Sequence, residues 1–257
     1  MLVECTLQSV SESTNCIHLS TSDLTVSSAL FNEKGIPFQY VASFVRLGHK
    51  YDFKALFDIA VERLAFENPT TLEEYVALLD ALRPAIGKTV NHSTTRIVHY
   101  AGIHYDMLTL ARENNLLAIL PCAYYRFAKG SLESIFREIQ SLDGTVSTLS
   151  ALDRITCALG HERLLQAQWQ SGNSLGWLIA WKPAPDCKNV SRCQRRQQSR
   201  LNTILISAKV HSFIRVSYVQ KAFCAPCAQL AETPLAAGRA KMWEDLPSFS
   251  TSLPGAS

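Results

Sequence analysis

The sequence is poor in the residues that mark specialised architectures. Charged residues make up 18% of the 257, below the roughly 25% usual in soluble domains, while apolar residues reach an ordinary 47%. That balance excludes wholesale disorder. Eleven glycines and ten prolines are too few for a collagen-like or linker-dominated chain, and eight cysteines are too sparse for a small disulfide-stapled scaffold. The most apolar runs, residues 116–125 and 175–181, fall short of the ~20 residues that span a bilayer. Met1-Leu2-Val3-Glu4-Cys5 lacks the basic start and long apolar stretch of a secretory signal. The expectation is a soluble intracellular protein, cytoplasmic or nuclear, with no membrane partner. In that reducing setting its cysteines serve as thiols or metal ligands, and the sequons at Asn91 and Asn189 carry no weight.

Enzyme signatures are missing too. There is no phosphate-binding glycine loop, no dinucleotide fingerprint, no Gly-x-Ser-x-Gly elbow and no His-Glu-x-x-His; His161-Glu162 lacks the second histidine that would place two ligands on one helical face. His92, His99 and His104 stand seven and five residues apart, which fits no single helix face, and they read as surface or capping histidines. No residue is assigned a catalytic or cofactor-binding role.

What is present is helical periodicity. Phe38, Val41, Ala42 and Val45, then Phe53, Leu56, Phe57, Ala60, Val61 and Leu64, form two apolar stripes that predict two helices hinged near Gly48. Asn68-Pro69 ends the second, and Thr70 to Glu73 is spaced as a capping box for a helix through Leu82. Residues 83–99 lack periodicity and read as a linker between two helical regions. Beyond it, helices are expected over 103–110, 116–127, 132–140 (capped by Ser131) and from about 151 to 170 (capped by Ser150), with turns at Asn114-Asn115 and Asp143-Gly144. Leu149, Leu152, Ile155, Cys157, Leu159, Leu164 and Leu165 are expected in the core, as are Trp169, Trp177 and Trp181. Residues 1–35, rich in Ser and Thr, contain one short strand near 16–19.

The last quarter differs chemically. From Lys188 to Lys221 there are eight Lys and Arg residues and no Asp or Glu, which predicts a basic helix. Around it stand Cys187-x5-Cys193 and Cys224-Ala225-Pro226-Cys227. Four thiolates satisfy tetrahedral zinc, and a Cys-x2-Cys turn lets two sulfurs converge on one ion; the first pair's gap is wider than the usual two to four residues. Two readings stay open, a zinc clip and free thiols buried as small hydrophobes, with the wide gap weighing toward the second. A redox Cys-x2-Cys is a weaker reading, because such motifs follow a strand at a helix N-terminus. Arg192 to Arg200, with Arg215 near Tyr218, could bind phosphates, although basic residues at helical spacing more often form a solvated face or pair with acidic helices.

Taken together, several blocks resemble the BTB/POZ-domain proteins that basidiomycete fungi carry in large numbers. Cys16-Ile17-His18-Leu19-Ser20 resembles a core strand and its exit, and residues 44–53 (Phe44-Val45-Arg46-Leu47-Gly48 and onward) resemble the helix-turn-helix that closes the BTB core. Further similar blocks are residues 68–74, 110–123, 159–165, 224–227 and 238–249, in the same order, so that the resemblance covers about residues 14–249. It implies a non-enzymatic interaction protein or adaptor, with protein partners in ubiquitin-ligase or transcriptional assemblies. A complete BTB domain begins with strands and a helical hairpin that build its dimer interface. Only its later part has counterparts here, so an N-terminally truncated domain is expected and homodimerisation is not carried over.

The expected fold is therefore mainly α: a truncated BTB-like segment (1–82), a linker (83–99), a helical region (100–249) made of helix pairs (100–181) and a Cys-rich basic segment (182–249), and a disordered tail (250–257). The alternative function is a zinc-stabilised nucleic-acid-binding module using Cys187, Cys193, Cys224 and Cys227 to position the basic stretch 188–221; nucleic acid is the less favoured partner.

Overall fold

A computed structural model describes residues 35–82, 95–140, 144–207 and 209–249. The expected strand at 16–19, His92, Asp143, most of the linker (83–94) and the tail 250–257 lie outside the described residues. The described residues all belong to one unit, Lys34–Ser257. As the periodicity predicts, they are mainly helical, with one two-stranded sheet among them.

Helices α1 (Phe38–Tyr51) and α2 (Lys54–Glu67) form the first hairpin. The hinge is not at Gly48. It lies at Asp52, which takes the left-handed conformation (φ 55°) while the Phe53 amide closes onto the Gly48 carbonyl at 3.1 Å. Gly48 stays inside α1 for another reason: a Cβ there would come within 2.7 Å of the Phe57 Cβ, so the missing side chain lets α2 cross closely. Helix α3 (Leu72–Ala81) starts from a complete capping box, one residue later than the spacing predicts: Thr71 Oγ1 accepts from the Glu74 amide and Glu74 Oε2 accepts from the Thr71 amide. Such a cap contributes about 1 kcal/mol.

The last residues of the expected linker pack back on the first helical region. Ile36 and Ile97 form a parallel bridge, and the buried Glu67 carboxylate accepts from the Arg96 and Ile97 amides while its other oxygen meets His99 Nε2 at 3.0 Å. Arg126 donates to the Glu67 carbonyl.

Helix α4 (Ile103–Glu113) ends in a left-handed Asn115 (φ 54°), with Leu116 N–H on Ala111 C=O and Asn115 N–H on Arg112 C=O, so the Asn-Asn turn forms where expected. Helix α5 (Leu120–Ala128) starts four residues later than the apolar run suggests, because Pro121 occupies its first turn and residues 116–119 are spent on turns. Helix α6 (Leu132–Phe136) is capped by Ser131 but stops short of 140. Arg137 turns extended (ψ 141°), and the chain enters a hairpin of β1 (Ile139–Gln140) and β2 (Val146–Ser147), paired antiparallel as Ile139 with Ser147 and Gln140 with Val146.

Helix α7 (Ala151–Ala167) is capped by Ser150, as predicted, yet it is rotated from the expected face. Leu152 and Ile155 are about half exposed, while Asp153, Thr156, Gly160 and His161 are buried. The cause is polar: fully enclosed Asp153 accepts from Arg112 Nε (3.0 Å), Tyr124 Oη (2.7 Å) and Ser150 Oγ (2.6 Å). His161 Nδ1 stands 2.6 Å from the Ala128 carbonyl, which fixes the ring proton on that nitrogen. Neither His161 nor Glu162 has the geometry of a metal site.

Four short and long helices complete the unit: α8 (Gly176–Ala180), the basic α9 (Val190–Ser207), α10 (Val216–Gln220) and α11 (Ala225–Glu244), followed by α12 (Leu246–Phe249). The main core joins distant parts of the chain through aromatic contacts with ring centres 4.8–5.9 Å apart: Tyr75 from α3, Tyr125 from α5, Phe213 and Trp243 make four edge-to-face pairs and one tilted pair, Tyr75 with Trp243. Each such pair adds about 0.5–1.5 kcal/mol beyond burial. Trp243 Nε1 also donates to the Thr70 carbonyl at 3.0 Å. No helix among the described residues is long and apolar enough to cross a membrane.

Candidate metal centre

The four cysteines singled out by spacing come together. Their sulfurs all lie within 4.8 Å of one another. Each is placed by a local structure that the sequence dictates. Asn189 caps α9, its Oδ1 accepting from the Arg192 amide at 2.9 Å, so the chain turns into helix directly after Cys187 and brings Cys193 back toward it within the first turn. The wide five-residue gap is therefore filled by a cap and a helical start. On the other side, Cys224 is the N-cap residue of α11 and Cys227 lies in its first turn, with Pro226 where a missing N–H costs nothing. The Cys-x2-Cys does open a helix, contrary to expectation, although α10 and a turn precede it rather than a strand.

The geometry fits a four-coordinate metal. Tetrahedral bonds of about 2.3 Å put sulfurs about 3.8 Å apart; Cys187 Sγ and Cys224 Sγ are separated by 3.7 Å. A contraction of under about 1 Å would bring the widest pair into line. All four are free thiols. Trp181 and Phe223, stacked with ring centres 5.0 Å apart, pack on the cluster with Ala184. Backbone amides serve the sulfurs: Ala184 N–H points at Cys227 Sγ from 3.4 Å. Cys224 makes no capping hydrogen bond of ordinary geometry, yet the nearby Cys227 amide, followed by the neighbouring thiols, holds its thiol down to about 7. Burial pushes Cys193 up and Cys227 up to about 12. The Cys224 sulfur is thus near to ionising unaided, whereas Cys193 and Cys227 require a cation to displace their protons.

The histidines do not join this centre. His99 is bound to Glu67, and its ring meets His104 edge to face at 5.8 Å beside a cavity of about 360 Å³ lined also by Tyr100, Gly102 and Ile139. Burial, then the Arg126 charge, lowers His104 to about 3, so it is neutral at pH 7.

The basic stretch is divided. Arg200 lies over the Tyr218 ring at 4.0 Å and Arg215 pairs with Asp80 of α3. Arg192, Arg195 and Arg196 are exposed and make no ion pair among the described residues. Sequence reading missed the Asn189 cap and the Ala184 amide; the Asn immediately before a helical basic run was the available sign of the first.

No family model, curated protein or solved structure matches the chain.

Proposed function

We propose that the chain is a non-enzymatic interaction protein, an adaptor of the BTB type, whose last quarter is fixed by one zinc ion on Cys187, Cys193, Cys224 and Cys227. The observation that carries the zinc part of the reading is the four-sulfur cluster itself; the adaptor part rests on the ordered sequence blocks that resemble the BTB proteins. A site with four thiolates leaves no position open for substrate or activated water, which is the signature of a structural ion. It joins the start of α9 to the start of α11, a fastening role. The other described cysteines, Cys122 and Cys157, are buried and burial pushes their thiols up, which keeps them protonated and poorly nucleophilic. Ser207 Oγ does meet His211 Nε2 at 3.1 Å, but that hydroxyl also lies 2.7 Å from the Ile204 carbonyl, and no carboxylate orients the ring among the described residues. Thiolates of this kind persist in a reducing compartment, cytoplasm or nucleus.

Metal analysis of the purified chain is the direct test. One zinc per chain is expected, and cobalt substitution is expected to give the intense sulfur-to-metal charge-transfer band of a four-thiolate site; metal below half an equivalent overturns the zinc reading. For the adaptor role, the tagged chain is expected to recover a reproducible set of proteins from its host cells, and recovery of none counts against it.

A second reading, nucleic-acid binding by the basic stretch 188–221, draws on the exposed Arg192, Arg195 and Arg196. Oligonucleotide affinity that falls steeply with salt, and that drops when the three arginines become glutamate, would favour it over the adaptor.

A further inference from the structure

The four sulfurs are not equivalent. Cys193 and Cys227 are enclosed, at 2% and 0% exposure, whereas Cys187 and Cys224 are only half-buried. The two accessible sulfurs are in direct contact at 3.7 Å, and they belong to segments 37 residues apart. Cys187 lies in the loop before α9, outside any helix, so its side chain can shift without unwinding a turn. A disulfide requires the sulfurs to close to about 2.0 Å, a movement of under 2 Å.

We propose that the centre is an oxidation-sensitive clip, in which a peroxide converts Cys187 and Cys224 to a disulfide and releases the ion. The inference rests on the zinc reading above. One of the two exposed thiolates attacks hydrogen peroxide, giving a sulfenic acid and hydroxide; the other thiolate then displaces hydroxide from that sulfur, forming the S–S bond. Two electrons leave the sulfurs and reduce the peroxide oxygens, which take up two protons and depart as two waters. Zinc, left with two ligands, dissociates as the hydrated dication, and Cys193 and Cys227 each take a proton. Both states tie the loop at 187 to the start of α11. Only the metal state also holds Cys193, and through it the first turn of the basic helix. Oxidation therefore loosens α9 at its arginine-bearing end while the chain remains fastened beside it. Cys122 and Cys157, at 1% and 0% exposure in other parts of the core, act as internal controls.

The experiment treats the zinc-loaded full chain with excess hydrogen peroxide, follows released zinc with a chromogenic chelator, and maps disulfides in non-reduced digests. The expected result is one zinc released for each Cys187–Cys224 link, with both changes reversed by dithiothreitol and added zinc. In C224S, which may be prepared with cobalt to establish that it folds, no cross-link to Cys187 is expected. Retention of zinc in excess peroxide, or first links through Cys193, Cys227, Cys122 or Cys157, overturns the inference and leaves the zinc reading standing. A chain purified without zinc that still forms the Cys187–Cys224 link overturns the zinc reading and supports the pairing.

Discussion

The aromatic core and the cysteine corner solve the same problem with different means. Around Tyr75, Tyr125, Phe213 and Trp243, large side chains from four separate stretches interlock, and Lys129 lies over two of the rings with its Nζ on the Tyr75 hydroxyl at 3.1 Å. There, packing alone removes enough apolar surface to offset the entropy of ordering the chain. Around Ala184, Cys193 and Cys227 the buried side chains are small. Helix α9 buries only Cys193 and Ile204 among its 18 residues, with a Gln197 hydrogen bond to the Leu178 carbonyl as its main polar tie. A helix with so thin a hydrophobic hold needs a different fastening, and the sulfur cluster stands at the end where the apolar contacts run out.

The sharpest way to break this contrast is to remove the zinc proposed for the four-cysteine site. Chelation, or C227S, is expected to free the N-terminal half of α9, so that trypsin cuts at Arg192, Arg195 and Arg196 at least about tenfold faster, a factor equivalent to about 1.4 kcal/mol of local opening. Cuts elsewhere are expected to change little. Equal acceleration across the chain would mean that the two regions share one fastening.

Next comes Asp153→Ala, whose effect is global where the first is local. It removes the acceptor of Arg112, Tyr124 and Ser150 in the helical core and leaves a guanidinium one-third exposed without its partner. The expected loss is about 3 kcal/mol, or roughly 6–12 °C in Tm for a chain of this size. Bound zinc below that transition is expected to stay the same, as metal analysis of the variant would show.

The most gradual effect concerns acid. His104 is held near 3 by burial, against an ordinary value of 6.5, so it is neutral in the fold and takes up a proton on unfolding below pH 6.5. Its contribution is complete above pH 6.5 and is lost as the pH falls toward 3, with a slope of at most about 1.4 kcal/mol per pH unit. The difference in Tm between the protein and His104→Gln, followed from pH 7 to 4.5, isolates this term, because any acid loss of zinc is common to both. A difference that does not vary with pH would remove His104 as a source of acid sensitivity.

Much of this was readable in the sequence where the cause is local. Ser131 and Ser150 cap the helices they precede, and Asn114-Asn115 makes its turn, because each depends on a few neighbouring backbone groups. The cysteine set was readable as a set, although its wide gap weighed against it until Asn189 was seen to start a helix inside that gap. What could not be read depends on distant partners. The stripe of α7 put Leu152 and Ile155 inside, whereas the burial of Asp153 is decided by Arg112 and Tyr124, 41 and 29 positions away. The Gly48 hinge failed similarly: a glycine suggests a bend, but here it serves contact with Phe57, and a left-handed aspartate makes the turn.

The hydrogen bond from Trp243 to Thr70 spans 173 positions. During synthesis at about 5–20 residues per second, the face of α3 that Trp243 covers therefore waits roughly 9–35 s for its last aromatic partner to be made. For that interval the side of Tyr75 that Trp243 covers is without its partner, even where Tyr125 and Phe213 have already been made, so the core of this fold closes only with the end of the chain.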